Sequence, residues 1–286
     1  MAFKLDAWLE NVPLVPLIVV LMAAGTYSMV ALGGHMFAAA GDGAALFLAC
    51  CSVVSLQYIA KRAPSLSSGW ASLQLPRRIQ HATSGMFIAI LYVKLPWRLA
   101  VGGLGAGFVA FTFLQFLRRL SPIVEKEFLS AFGAILKEEE RRGAPPAAIY
   151  FLFGSLLCAL CFPWRVCLVS ILGAALGDPA AAIVGELAGG PRIAGKKTLG
   201  GFLGCFAVSG ACGLAVAMHG MGAMGDADSM GQASALASAF LLSGTAVAVP
   251  ELATGLRAST EDNVAVLFGS GVVLSIFNLL GVGSPA

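Results

Sequence analysis

Residues Gly177 to Gly201 read GDPAAAIVGELAGGPRIAGKKTLGG. The fold turns on whether this is the phosphate loop of a soluble α/β domain or a polar junction between membrane helices. Gly190-Pro-Arg-Ile-Ala-Gly195-Lys196-Lys197 fits G-x-x-x-x-G-K, but Lys197 stands where Ser or Thr would ligate magnesium, and Thr198 comes one position late. A phosphate loop also follows a buried strand of a soluble sheet. Here apolar helical runs lie on both sides, so the membrane junction is the reading that fits.

Composition agrees. Of 286 residues, 58% are apolar and 12% charged, against about 45–50% and about 25% in soluble domains. Mean hydropathy is +0.86, and one soluble core cannot hide that excess. The net charge of +3 implies no nucleic-acid partner. The seven cysteines lie inside apolar runs and read as small buried hydrophobes, with neither a zinc site nor a disulfide framework among them.

Working outward, apolar windows predict an all-α polytopic bundle of about eight to nine spans. They are 12–32, 43–60, 82–93, 99–117, 147–162, 166–187, 201–218, 233–250 and 264–280, within one integral membrane domain covering 1–286. With the N-terminus in the cytoplasm, fifteen of 18 Lys and Arg fall on the inner side and only Lys94, Arg98 and Arg165 outside, a strong positive-inside bias. The segments around Arg77, Arg118 to Pro146, Gly189 to Gly201 and Glu251 to Asn263 then face one compartment. Arg118 to Pro146 reads as an interfacial amphipathic helix: Ser121 caps it, Pro122 starts it, and Val124, Phe128, Phe132 and Ile135 or Leu136 form its apolar stripe. Gly143 follows as the C-cap.

Asp178 lies in an apolar run, where a carboxylate is costly and marks a functional site. It can equally be an N-cap with Pro179 at the first helical position, and both readings hold if the sixth span breaks at Gly177-Asp178. Asp178, Ala181, Ala182, Gly185 and Gly189 share one helical face, a groove that admits either another helix or a nucleotide. Glycines let backbone N–H groups approach phosphate, while Arg192, Lys196 and Lys197 supply countercharge. On the same side, Arg77 and Arg78 precede the third span with His81 one turn on, and Glu251, Asp262 and Asn263 add oxygen ligands suited to magnesium. Cations together with acidic oxygens are what a metal–nucleotide site requires.

Four blocks, in order, resemble the CTP-dependent lipid kinase family of yeast-type diacylglycerol, dolichol and phytol kinases. Arg77-Arg78-Ile-Gln-His81 is similar to its R-K-x-x-H, and Phe132-Gly133 through Lys137 to Glu140 to its F-G-x-x-x-R/K-x-x-E. Gly177-Asp178 through Gly185 to Lys197-Thr198 and Gly201 is similar to its G-D-x-x-A-x-x-x-G…K-S/T-x-x-G, and Glu251…Asp262-Asn263 to its E…D-N. The likeness spans 77–271. Departures are Gly200 where many members have Glu, Phe202 where they have Ser, and Leu267 in place of a proline.

The resemblance implies transfer of the γ-phosphoryl of CTP, with Mg2+ or another divalent cation, to a membrane lipid alcohol. Diacylglycerol is the first choice and phytol or a polyprenol such as dolichol the alternative. It also implies an integral membrane protein of the endoplasmic reticulum with its site at the cytoplasmic face. In this reading Asp178 and Asp262 hold the metal. Arg78 and Lys197, with Arg77, Arg192, Lys196, Thr198 and Gly185, hold the triphosphate; Asp178, Glu251 or His81 takes the lipid hydroxyl proton. A transporter is the rival from another class and predicts repeat-related broken helices, of which the sequence suggests one, at Asp178.

Overall fold

The computed structural model describes residues 74–221, 229–255 and 262–279. In chain order these form α1 (Leu75–Lys94), α2 (Trp97–Leu120), α3 (Pro122–Phe132), a 3-10 turn (Gly133–Ile135) and α4 (Glu138–Arg141). There follow α5 (Ala147–Cys161), α6 (Trp164–Leu187), the strands β1 (Arg192–Ala194) and β2 (Lys197–Thr198), α7 (Leu199–Met221), α8 (Ser229–Thr254) and α9 (Asp262–Leu279). Each of the seven apolar windows from 82 onward coincides with one of these helices. The windows 12–32 and 43–60, Arg257 and most of the connection 219–231 lie outside the described residues.

Prolines punctuate the bundle. Pro76 occupies the first turn of α1, where its missing N–H costs nothing. Pro96 and Pro163 follow extended residues and start α2 and α6. Both of these turns carry Pro-Trp-Arg, and Trp97 Nε1 donates to the Ala159 carbonyl at 3.1 Å, which ties one turn to the other. The tryptophans are partly exposed there, as expected of residues at a membrane–water boundary.

Four helices, Trp97–Leu120, Trp164–Leu187, Leu199–Met218 and Ala233–Thr254, are long and apolar enough to cross a membrane, and Ala147–Cys161 and Asp262–Phe277 are shorter apolar helices. The chain is thus an all-α membrane bundle with one small hairpin. α6 is its axis: 61% of its apolar window is buried, against 17% for α2, and it packs against α1, α7, α8 and α9. Ile171 and Ala175 from α6 meet Cys158, Val247 and Leu267 in a core with no exposed surface. On α2, by contrast, Val109, Phe113, Phe116 and Leu120 are exposed along one face, the orientation that lipid tails favour. Cys158, Cys167 and Cys205 are buried thiols, whereas Cys161 is exposed.

Two sequence expectations change. α6 does not break at Gly177-Asp178; it runs through with Pro179 inside. The proline removes one intrahelical hydrogen bond, but unwinding a turn in an apolar surrounding would orphan several backbone groups, and neighbours clamp both halves. Asp178 is therefore a mid-helix carboxylate rather than an N-cap. Nor is 118–146 a single amphipathic helix. α3 buries Val124 and Phe128 as expected, but the chain tightens at Gly133 and turns extended at Leu136 and Lys137. α4 is a separate turn, closed by Gly143 at φ 103°. The Gly143 N–H bonds the Glu140 carbonyl and the Ala144 N–H the Glu139 carbonyl, a Schellman ending.

The break has an identifiable cause. Arg118 at the end of α2, only 3% exposed, pairs with Glu125 of α3 and donates to the Glu140 carbonyl at 2.7 Å. Its guanidinium also lies 4.6 Å from the centre of the Phe128 ring. A fork held at three points draws α4 back toward α2, which a straight helix would not allow.

Candidate active site

The hairpin between α6 and α7 is shaped by close backbone approach. A Cβ on Gly195 would lie 2.1 Å from the Gly255 carbonyl oxygen, and φ there is 54°. The tip therefore lies directly on the end of α8, and only glycine fits. Where the hairpin enters α7, the Leu199 N–H donates to the Pro191 carbonyl at 2.9 Å and the Gly200 N–H to the Gly189 carbonyl at 3.0 Å. The Gly201 N–H donates to Thr198 Oγ1 at 3.2 Å, so Thr198 caps α7. The first three amides of α7 are thus already used. At this entry to α7 those amides are therefore not free to meet a ligand.

Gly185 has a related duty. A Cβ there would stand 3.0 Å from Thr198 Oγ1 and 3.3 Å from Gly201 Cα. The small-residue face of α6 therefore serves first to let α7 come close, and what remains of the groove is the floor of a cavity.

That cavity, of about 330 Å³, is lined by Arg78 of α1; Asp178, Ala181, Ala182, Gly185 and Glu186 of α6; and Arg192, Lys196, Lys197 and Thr198 of the hairpin. Gly201 and Phe202 of α7 and Ala248, Glu251 and Leu252 of α8 close it. Its size falls within the range of small-molecule sites, about 300–1,000 Å³. Beside its charged groups the lining includes the apolar side chains of Phe202, Ala248 and Leu252.

Lys197 Nζ, pointing inward from β2, forms an ion pair with Glu251 of α8, whose side chain is only 7% exposed. Burial pulls the Lys197 ammonium down, but the charge and hydrogen bond of Glu251, joined by the charges of Asp178 and Asp262, outweigh it and hold the group above its ordinary value. Lys197 is thus a fixed cation at neutral pH. Asp178 lies within electrostatic reach of Arg78, Lys197, Glu251 and Asp262. Arg192 and Lys196 are exposed at the rim.

Other expected residues stand farther back. His81 is not on the cavity wall; it is packed edge-on against Phe151, with ring centroids 5.0 Å apart. Arg77 is also off the wall, its Nη1 3.5 Å from Gln74 Oε1 on the exposed first turn. Asp262 begins α9 beside, rather than on, the wall, and Asn263 Nδ2 donates to the Ala147 carbonyl at 3.3 Å. Two further charges belong with the site. Glu186 lines the cavity, and Lys137 at the start of α4 is close enough for its charge to act on both His81 and Asp262. In the sequence Lys137 is marked only as the R/K position of the second block that resembles the kinase family.

Among the described residues there is no group of three or more His, Cys, Asp or Glu able to hold a metal ion by itself. A magnesium ion that travels with a nucleotide needs only one or two carboxylates, the phosphates supplying the rest. Asp178 on the wall with Asp262 nearby fits that requirement.

The chain is 30% identical over 138 residues to CTP-dependent diacylglycerol kinase 1 of Eremothecium gossypii. The match covers 47% of this chain and 43% of that protein, so the chain spans less than half the length of the curated relative it matches. It supports the resemblance carried by the four sequence blocks. No family model and no solved structure matches the chain.

Proposed function

We propose that this protein is a CTP-dependent lipid kinase that transfers the γ-phosphoryl group of CTP to the hydroxyl of a membrane lipid alcohol, diacylglycerol, giving phosphatidic acid. The observation that carries the reading is the cavity where Arg78, Arg192, Lys196 and Lys197 meet Asp178, Glu186 and Glu251 among the membrane helices. The activity named for the similar kinase of Eremothecium gossypii supports the nucleotide and the acceptor.

Phosphoryl transfer asks for charge neutralisation and in-line positioning. Lys197, locked by Glu251, and Arg78 hold the phosphates from two sides, while Arg192 and Lys196 at the rim draw the nucleotide in. The apolar side chains of Phe202, Ala248 and Leu252 accept the lipid end next to the hydroxyl. A divalent cation held by Asp178 and Asp262 supplies further charge neutralisation when bound. The lipid oxygen forms a bond to the γ-phosphorus, the bond from that phosphorus to the β,γ-bridging oxygen breaks, and CDP leaves. Of the three candidate bases, Glu251 is committed to Lys197 and His81 is packed behind the wall, which leaves Asp178, with one carboxylate oxygen for the cation and the other for the hydroxyl proton. The hydroxyl proton goes to the Asp178 carboxylate.

This reading puts the site at the cytoplasmic face, and the membrane is that of the endoplasmic reticulum. The broken helix that gave a transporter its main support is a continuous α6. Assay of purified protein with γ-labelled CTP against diacylglycerol, phytol and a polyprenol tests the proposal. Labelled phosphatidic acid is the expected product, and transfer to phytol or polyprenol alone would reassign the acceptor.

A further inference from the structure

Two polar side chains outside the cavity are committed to one main-chain unit. Glu140 is 3% exposed; its Oε2 accepts the Lys137 N–H at 2.7 Å and its Oε1 accepts the Ala147 N–H at 2.7 Å. The carbonyl of that same Ala147 accepts Asn263 Nδ2 at 3.3 Å. Lys137, Glu140, Ala147 and Asn263 thus form a hydrogen-bonded bracket that joins the starts of α4, α5 and α9. The bracket is itself anchored, because Arg118 Nη2 donates to the Glu140 carbonyl at 2.7 Å. At its α9 end sits Asp262, adjacent to Asn263, and the charges of Lys137, Lys197 and Asp178 all act on that carboxylate.

A buried carboxylate spent on two backbone amides is a costly way to end a loop if only a loop is wanted; a capping hydroxyl would serve. What Glu140 gains over a hydroxyl is reach in two directions, so that α4 and α5 are fixed relative to each other. Asn263 carries the same constraint on to α9.

We propose that Glu140 and Asn263 are positioning residues, and that the bracket they form fixes the Asp262 carboxylate beside the cavity for the divalent cation that accompanies the nucleotide. The proposal rests on the reading of Asp262 as a metal ligand. Partners that orient metal ligands typically govern metal affinity by about 10–100-fold. A bracket with only a structural duty would change stability and leave metal affinity alone.

The test uses the 286-residue chain in detergent with CTP present, Mn2+ as the probe, and the spin-resonance signal of free Mn2+ as the readout. Parent protein, Asn263→Ala, Asn263→Gln, Glu140→Gln and Asp262→Asn are each titrated and melted in parallel. Asn263→Ala is expected to raise the Mn2+ midpoint by about tenfold with little change in melting temperature, and Asn263→Gln, which keeps an amide donor, to recover part of the loss. Asp262→Asn sets the full effect. Unchanged midpoints in Asn263→Ala and Glu140→Gln would overturn the proposal, as would a parent protein that takes up no Mn2+. Kinase activity of the parent, measured separately, decides whether the wider functional reading stands.

Discussion

Lys197 and Glu251, 54 residues apart in sequence, both line the cavity and form an ion pair between the hairpin and the end of α8. The pair does two things at once: it points the lysine inward, and it ties the hairpin to the bundle at the place where Gly195 lies on Gly255. In the proposed function, phosphate neutralisation and loop placement therefore depend on the same contact.

Replacing Lys197 by Met should lower turnover by about 10²–10³-fold, the usual effect of removing one preorganised charge donor. It also leaves Glu251 buried without its partner. Because the Lys197 side chain is 31% exposed, the stability loss should be no more than about 3 kcal/mol, at the low end for a broken buried pair. Lys197→Met with Glu251→Leu should restore melting temperature without restoring activity. Thermal unfolding and initial rates on the same preparations separate the two effects.

Gly195→Ala should be damaging out of proportion to one methyl group. The residue must keep a left-handed φ, costing about 1–2 kcal/mol, and its Cβ would strike the Gly255 carbonyl oxygen. The expected outcome is a folded protein whose hairpin is displaced and whose apparent affinity for CTP falls at least about tenfold. Gly102→Ala is the control, since a Cβ there meets nothing within 4 Å. Nucleotide titrations of the two variants check the contrast.

Arg118→Met should destabilise the bundle by roughly 3 kcal/mol, because it strands Glu125 and uncovers the carbonyls of Glu140 and Arg141. Arg118→Lys should recover little, as an ammonium cannot span the same fork. Melting temperatures of the two variants provide the measurement.

The Lys197 ammonium sits above its ordinary value of 10.5. A group raised in the folded state contributes stability that is fully present below its unfolded value and is lost only as pH climbs through the folded one. Lys197 should therefore add no alkaline limb between about pH 7 and 9, and rate–pH curves of the parent and Lys197→Arg should have the same shape there. A limb that moves with the substitution would mean that Lys197 titrates in that window.

How far the sequence could be read depended on the range of the interaction. Apolar windows locate α1, α2 and α5 to α9 because a span is a local property of about 20 residues. Asp178 stands out in the sequence because a charge in apolar surroundings announces itself, and it lines one cavity with Lys197 and Glu251. The continuity of α6 through Pro179 was not legible, since it is decided by neighbours on both sides of that turn. Arg118 reads as one more inner-face cation, yet it is buried and organises 121–147 through Glu125 and Glu140. The pairing of Arg192 with Thr198 in a hairpin rests on the docking of Gly195 against Gly255, and no pattern within the segment encodes that partner. His81 reads as a candidate base, yet its ring packs against Phe151 of α5, a contact that no local pattern encodes.

The most direct test of the central claim is transfer of label from γ-labelled CTP to diacylglycerol by the purified protein, with Asp178→Asn beside it. Labelled phosphatidic acid from the parent, reduced at least about a hundredfold in a folded Asp178→Asn, is the predicted result. Transfer that survives the substitution, or no transfer to any lipid alcohol by a folded parent, would contradict it.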